Sequence, residues 1–146
     1  MKDRPFTPLL EQLRAAGLRP TRQRLALARL LFDGGDRHIT AEQLHDEARR
    51  EEIPVSLATI YNTLNQFKKA GLLREVVVDS SRSWFDTNLS DHHHFFHEGD
   101  GRLTDFVAEG LAVDGLPKAP DGTEIDRVDV IVRVRDQARD RGRRGA

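Results

Sequence analysis

The stretch Pro54-Val-Ser-Leu-Ala-Thr-Ile-Tyr-Asn-Thr-Leu-Asn-Gln-Phe-Lys-Lys-Ala-Gly71 decides how the chain is read. Within it Leu57, Ile60, Leu64 and Phe67 recur at i, i+3, i+7 and i+10, which places them on one face of an α-helix. Ser56 precedes that face as an N-cap, its hydroxyl able to accept from the backbone N–H groups that a first helical turn leaves open. Thr59, Asn62, Gln66 and Lys69 lie opposite, and Tyr61 falls on the border, where a long ring reaches sideways. The helix is therefore amphipathic, with a polar face suited to a DNA groove.

Upstream, residues 6–70 read as helices separated by short breaks, with apolar spacing of about 3.6 throughout. Leu9, Leu10, Leu13 and Ala16 mark the first, which stops at Gly17. Thr21 caps a second, whose Leu25, Leu27, Ala28, Leu30, Leu31 and Phe32 are too many for a surface stripe, so it is expected to be the most buried of the set. Thr40, followed three residues later by Gln43, makes a capping box for a third helix with Leu44 and Ala48 turned inward, ending before Pro54. After Gly71 the period becomes extended. Residues 72–78 and 83–87 are predicted strands around the turn-forming Asp79-Ser80-Ser81-Arg82, and helices followed by such a hairpin are a winged-helix pattern.

Beyond residue 88 the pattern predicts strands over 92–98 and 103–107 around Gly99-Asp100-Gly101, and a short apolar segment around Leu111 to Leu116. A last strand is expected after Pro120-Asp121-Gly122, where Ile125, Val128, Val130, Val132 and Val134 mostly alternate. Residues 136–146 are rich in Arg, Asp and Gly without apolar period and read as a disordered tail. The expected class is α+β. An N-terminal winged-helix DNA-binding domain spans 1–88, and a small α/β dimerisation and metal- or haem-sensing domain spans 89–135. So small a second unit is marginal alone, which favours dimerisation.

Asp91-His92-His93-His94-Phe95-Phe96-His97-Glu98 packs four of the six histidines into six residues between carboxylates. Imidazole and carboxylate at that density suit a metal or haem better than a core, although an exposed polar strand edge could carry the same residues. Alternation puts His92, His94 and Phe96 on one strand face and His93, Phe95 and His97 on the other, so two separate sites are geometrically possible. His45, beside Leu44, reads as a packed helix residue, while His38, in a loop before a cap, stays open between a structural and a ligand role.

With 146 residues and 38% hydrophobic content, the chain can form one domain or two small halves, and the patterns favour two. The net charge is −1, with 14 basic against 12 acidic residues over 1–88 and 9 against 12 over the rest. A uniformly basic surface is excluded, so nucleic-acid binding must rest on a local patch doubled by dimerisation. The absence of cysteine excludes disulfides, thiolate zinc sites and cysteine-ligated haem. No apolar run approaches the roughly 18 residues of a membrane span, and the amino terminus lacks an apolar signal core, so a cytoplasmic location is the default.

Gly17-Leu18-Arg19-Pro20-Thr21-Arg22-Gln23-Arg24, Thr40-Ala41-Glu42-Gln43-Leu44 and Ser56-Leu57-Ala58-Thr59-Ile60-Tyr61-Asn62-Thr63-Leu64 together resemble the Fur (ferric uptake regulator) family of metal-responsive bacterial repressors. The resemblance covers nearly residues 6–135. Within the family, His92-His93-His94-Phe95-Phe96 in a cysteine-free chain resembles the iron response regulator branch, described as sensing iron through haem. It implies that the helix opening at Leu57 enters the major groove. Tyr61 would then meet base edges or thymine methyl groups, Ser56, Thr59 and Asn62 would sit at phosphates or bases, and Arg19 would reach an A/T-rich minor groove. The residues alone leave an alternative open, in which Ser56 only caps, Tyr61 packs against the wing, and Arg19 is a solvated charge before Pro20. One monomer reads too little DNA for specificity, so a homodimer on a palindromic A/T-rich site is the expected form.

The resemblance further implies a regulatory metal site drawing on His38, Asp86 and His93, and a second site drawing on His92 and His94. Phe95 stands where another ligand histidine is usual and cannot coordinate. Either His97 supplies the missing ligand from the strand face of His93, or the ferrous site has given way to haem bound through His92, His93 or His94. The expected cofactor is haem and/or a divalent metal (Fe, Mn or Zn), without the cysteine-held structural zinc usual in the family.

These readings converge on a DNA-binding transcriptional regulator of iron or haem homeostasis, not an enzyme, that acts when iron is scarce and releases DNA when haem binds. The alternative is a conventional Fe(II)-, Mn(II)- or Zn(II)-activated repressor. A histidine-carboxylate metalloenzyme using Asp86 and His92 to His97 is disfavoured, since no nucleophile arrangement or phosphate-cradling glycine loop is present. An architectural DNA binder without a ligand is the remaining alternative.

Overall fold

The structure, a computed structural model, describes residues 7–90, 92–107 and 109–138. Asp91 and, from residue 139 on, the expected disordered tail lie outside them. The fold is α+β, and the chain divides after Leu89 into two compact units.

The first unit opens with α1 (Thr7–Ala15) and α2 (Arg22–Phe32). Gly17 closes α1 with φ +79°, a left-handed turn in which Leu18 N–H donates to Leu13 O at 2.9 Å. In α2, Leu27, Ala28 and Leu31 are buried, while Leu25, Leu30 and Phe32 pack against the core margin. The excess of apolar residues there thus fills both the core and its rim. In α3 (Ala41–Arg50) the capping box forms in both directions: Gln43 N–H donates to Thr40 Oγ1, and Thr40 N–H donates to Gln43 Oε1, each at 3.1 Å.

α4 (Leu57–Lys69) buries Ile60, Leu64 and Phe67 fully, with Leu57 at the core edge. These side chains meet Leu13, Leu27, Leu31 and Leu44 in one cluster, and the Phe67 ring lies 6.1 Å from that of Phe32. Each such burial contributes about 1.5–3 kcal/mol. α4 is therefore pinned by its apolar face, and its opposite face is left to solvent.

The wing is β2 (Arg74–Asp79) paired antiparallel with β3 (Arg82–Asp86). Its turn is tighter than the sequence suggests because Asp79 pairs directly with Arg82, leaving Ser80 and Ser81 as the connection. A third strand, β1 (His38–Ile39), joins β3 with His38 opposite Asp86 and Ile39 opposite Phe85. Two residues carry no readable period, so this strand exists through its partner alone.

In the second unit β4 (His92–His97) is central, with β5 (Leu103–Val107) antiparallel on one side and β6 (Ile131–Val134) parallel on the other. The expected last strand is shortened to β6, because β4 offers partners only from His94 to His97 on that side. The segment from Leu111 to Leu116 has no regular structure, and Leu111, Val113 and Leu116 are exposed. On one face of this sheet His92, His94, Phe96 and Leu103 are buried, while Asp105 and Val107 on the same face of β5 are exposed.

Candidate metal centre and DNA-reading face

Period-two alternation in β4 turns His92, His94 and Phe96 to the buried face and leaves His93, Phe95 and His97 partly exposed. The partner register then sets Asp105 of β5 directly opposite His94. His94 Nε2 lies 3.2 Å from Asp105 Oδ1, and His92 Nε2 lies 3.8 Å from the same oxygen. The two imidazole centroids are 4.8 Å apart. His92 Nδ1 stands 2.6 Å from Ser90 O; a carbonyl only accepts, so Nδ1 carries the proton and Nε2 presents its lone pair toward Asp105. Both imidazoles are almost wholly buried, whereas Asp105 is 42% exposed. Two imidazole nitrogens and one carboxylate oxygen form a donor set that suits Fe(II), Mn(II) or Zn(II).

Sequence reading missed Asp105. Leu103, Asp105 and Val107 share one face of β5, so the signal was an aspartate at a position where alternation calls for an apolar residue.

The other strand face is built differently. His93 Nδ1 accepts from Val130 N–H at 3.2 Å, which requires it to be unprotonated and puts the proton of the neutral ring on Nε2, the opposite tautomer to His92. Phe106 packs against both His93 and Phe95, with centroids at 5.6 and 4.7 Å. His97 Nε2 is 3.1 Å from Thr104 Oγ1, and its Nδ1 is 3.5 Å from Arg102 Nη2. Four residues of strand separate His97 from His93 by about 13 Å, too far to share an ion. The structure thus gathers His92 and His94 with Asp105 and leaves His93 and His97 apart.

In the first unit His38 and Asp86 face one another across the β1–β3 pair. Asp86 is buried and accepts from Asn88 N–H at 2.9 Å, and His38 meets the edge of Trp84 at 5.7 Å. His45 is half-buried on α3.

On α4, Ser56 Oγ accepts from Thr59 N–H at 3.1 Å and shares a hydrogen bond with Thr59 Oγ1 at 2.9 Å, so the cap is formed. Tyr61, Asn62, Asn65, Gln66 and Lys69 make the exposed stripe, with Thr59 half-buried beside it. Arg19 is exposed on the loop before α2. A link the sequence did not announce holds that loop: the Arg24 guanidinium donates to Arg19 O at 2.9 Å and to Gln66 Oε1 at 3.0 Å. At the wing tip, Arg82 and Ser81 hold the Asp79 carboxyl well below the usual range.

The sequence profile described as the Ferric uptake regulator family matches residues 15–130. The peroxide-responsive repressor PerR of Staphylococcus aureus is 37% identical over 97 residues, 66% of this chain and 65% of that protein. Its counterpart in Staphylococcus epidermidis is 36% identical over 104 residues, 71% of this chain and 69% of that one. The chain thus spans about two thirds of the length of these curated relatives. In fold it is similar to the Vibrio cholerae ferric uptake regulator, with TM-score 0.69, 21% identity, and 88% of this chain and 99% of the other covered. It is also similar to the ferric uptake regulator of Pseudomonas aeruginosa solved with manganese, with TM-score 0.64, 24% identity, and 87% and 96% covered. Among the described residues no helix is long and apolar enough to cross a membrane.

Proposed function

The chain belongs to the ferric uptake regulator family, and on that premise we propose that it is a DNA-binding transcriptional regulator governed by a divalent cation held at His92, His94 and Asp105. One observation carries the reading: two buried imidazole nitrogens converge on a single carboxylate oxygen of the neighbouring strand. A bound ion would replace the His94–Asp105 contact with coordination and so stiffen the β4–β5 pair. It would change DNA affinity to the extent that it favours one state of the protein over another. His38 and Asp86, paired across β1 and β3, are proposed as a second set of cation ligands.

DNA would be read by the exposed stripe of α4, with Tyr61 and Asn62 at base edges and Ser56 and Thr59 toward phosphates, while Arg19 enters the flanking minor groove. Exposed Val107, Val132, Leu111, Val113 and Leu116 support a homodimer, which a twofold A/T-rich operator would match.

Haem sensing, the property implied by likeness to the iron response regulator branch, is a second reading. It is favoured by the imidazole of His93 standing beside the apolar rings of Phe95 and Phe106 in a cysteine-free chain. Against it, His93 offers the wrong tautomer for coordination through Nε2, and His92 and His94 are already directed at a carboxylate. The staphylococcal relatives are named peroxide-responsive repressors, which supports testing peroxide as a further stimulus of the metal-loaded form.

The test is to titrate the metal-free protein with Mn(II) and, separately, with haem, following its binding to an A/T-rich palindromic duplex at fixed salt. Mn(II) is expected to change operator affinity in the wild type and not in His94→Ala or Asp105→Asn. A response to haem alone, lost in His93→Ala, would replace the divalent-cation reading with haem sensing.

A further inference from the structure

Glu42 stands in the first turn of α3, where the helix dipole favours an anion, and its Oε1 accepts a hydrogen bond from the Tyr61 phenol on α4. The two residues border a groove whose other wall is the wing, with Glu75, Asp79 and Arg82 among its lining. Two of the three carboxylates there are answered by cations, Glu75 by Lys68 at 2.8 Å and Asp79 by Arg82 at 2.6 Å. Among the described residues no lysine or arginine pairs with Glu42, which is held by the phenol alone.

We propose that Glu42 is a specificity-determining residue of the DNA-reading face: it fixes the direction of the Tyr61 ring, and its uncompensated charge disfavours phosphate that approaches without matching base contacts. The inference rests on α4 being the DNA reader. An exposed tyrosine on a helix loses rotamer freedom when it docks, and a tether formed before docking removes part of that cost. Non-specific affinity comes almost wholly from phosphate electrostatics, so an anion on the docking surface weakens it. At an operator the same repulsion is opposed by the base contact of the oriented Tyr61, a Glu42-dependent gain that a non-operator duplex lacks. The ratio between the two affinities therefore rises, and that ratio governs site choice among many competing sites.

Tyr61 is the only tyrosine of the chain, so its phenol can be titrated by ultraviolet absorbance without other substitutions. The hydrogen bond to Glu42 first, then partial burial, then the charge of the carboxylate raise its pKa above the ordinary value. Glu42→Gln and Glu42→Ala are expected to bring the titration to lower pH, and a titration that stays in place overturns the contact. The same variants are then compared on an operator duplex and a non-operator duplex of equal length at two salt concentrations. Glu42→Gln is expected to tighten non-operator binding roughly threefold to tenfold and operator binding less, lowering the specificity ratio.

Wild-type protein that shows no preference for the operator defeats the DNA-reading assignment itself. A wild type that discriminates, beside a Glu42→Gln variant that discriminates equally, overturns the role of Glu42 alone. The positioning half is separated by a cycle of Glu42→Ala with Tyr61→Phe: coupled losses of operator affinity sustain it, and strictly additive ones remove it.

Discussion

Asp105 Oδ1 lies 3.2 Å from Nε2 of His94, the residue directly opposite it in the β4–β5 pair, and 3.8 Å from Nε2 of His92. Asp105→Asn keeps the shape and an oxygen acceptor but removes the charge. Loss of a partner that merely orients a metal ligand weakens binding about 10–100-fold, and loss of a ligand should cost at least as much. Calorimetric titration with Mn(II) or Zn(II) is expected to show at least a roughly tenfold weaker site in Asp105→Asn, with the fold kept because the residue is 42% exposed. Wild-type affinity in both Asp105→Asn and His94→Ala would place the cation elsewhere.

Trp84, the sole tryptophan, meets the His38 ring edge-on at 5.7 Å and so reports on the surroundings of His38. If His38 and Asp86 bind a cation, Co(II) should quench Trp84 emission in Asp105→Asn as in the wild type, and should leave it unchanged in His38→Ala. Quenching that survives His38→Ala would remove this pair from the ligand set.

The parts of the fold that were legible in sequence are those set by neighbours along the chain. The Ser56 cap, the Thr40–Gln43 box and the face of Ile60, Leu64 and Phe67 all depend on residues three or four apart, and all are present. β1 was not legible, because His38 and Ile39 are extended only through hydrogen bonds to a strand more than forty residues later. Alternation from Ile125 onward suggested a long strand, yet only residues with a partner on β4 became one. The candidate centre divides in the same way. His92 and His94 stood out as a run, whereas Asp105 was a single polar residue out of step in β5 and gained its meaning only when the register set it opposite His94.

The core offers a sharper contrast in magnitude. Thr40 supplies one capping oxygen at an exposed helix end, so Thr40→Ala is expected to cost about 1 kcal/mol. Phe67 is fully buried against Phe32, and Phe67→Ala should cost about 3–5 kcal/mol through lost burial and the cavity left behind. Denaturant midpoints of the metal-free protein, at unchanged slope, check both. Equal small losses would mean that α4 is not pinned by its apolar face.

Glu75 gives the first unit a defined response to acid. Burial alone would raise its pKa, but hydrogen bonds from Lys68 and Ser83 and the charge of Lys68 outweigh it, so the folded carboxyl titrates below the ordinary 4.5. The native state then holds this proton less tightly than the unfolded chain. The resulting stabilisation is fully present above pH 4.5 and is lost as the pH falls through the lower folded value. Glu75→Gln removes the titration while leaving an oxygen to accept from Lys68 and Ser83. Its Tm is expected below that of the wild type near neutral pH, with the gap closing as the solution is acidified from about pH 5 toward pH 2. A gap of constant size over that range would assign the loss to altered packing around the Lys68–Glu75 pair instead of to the charge.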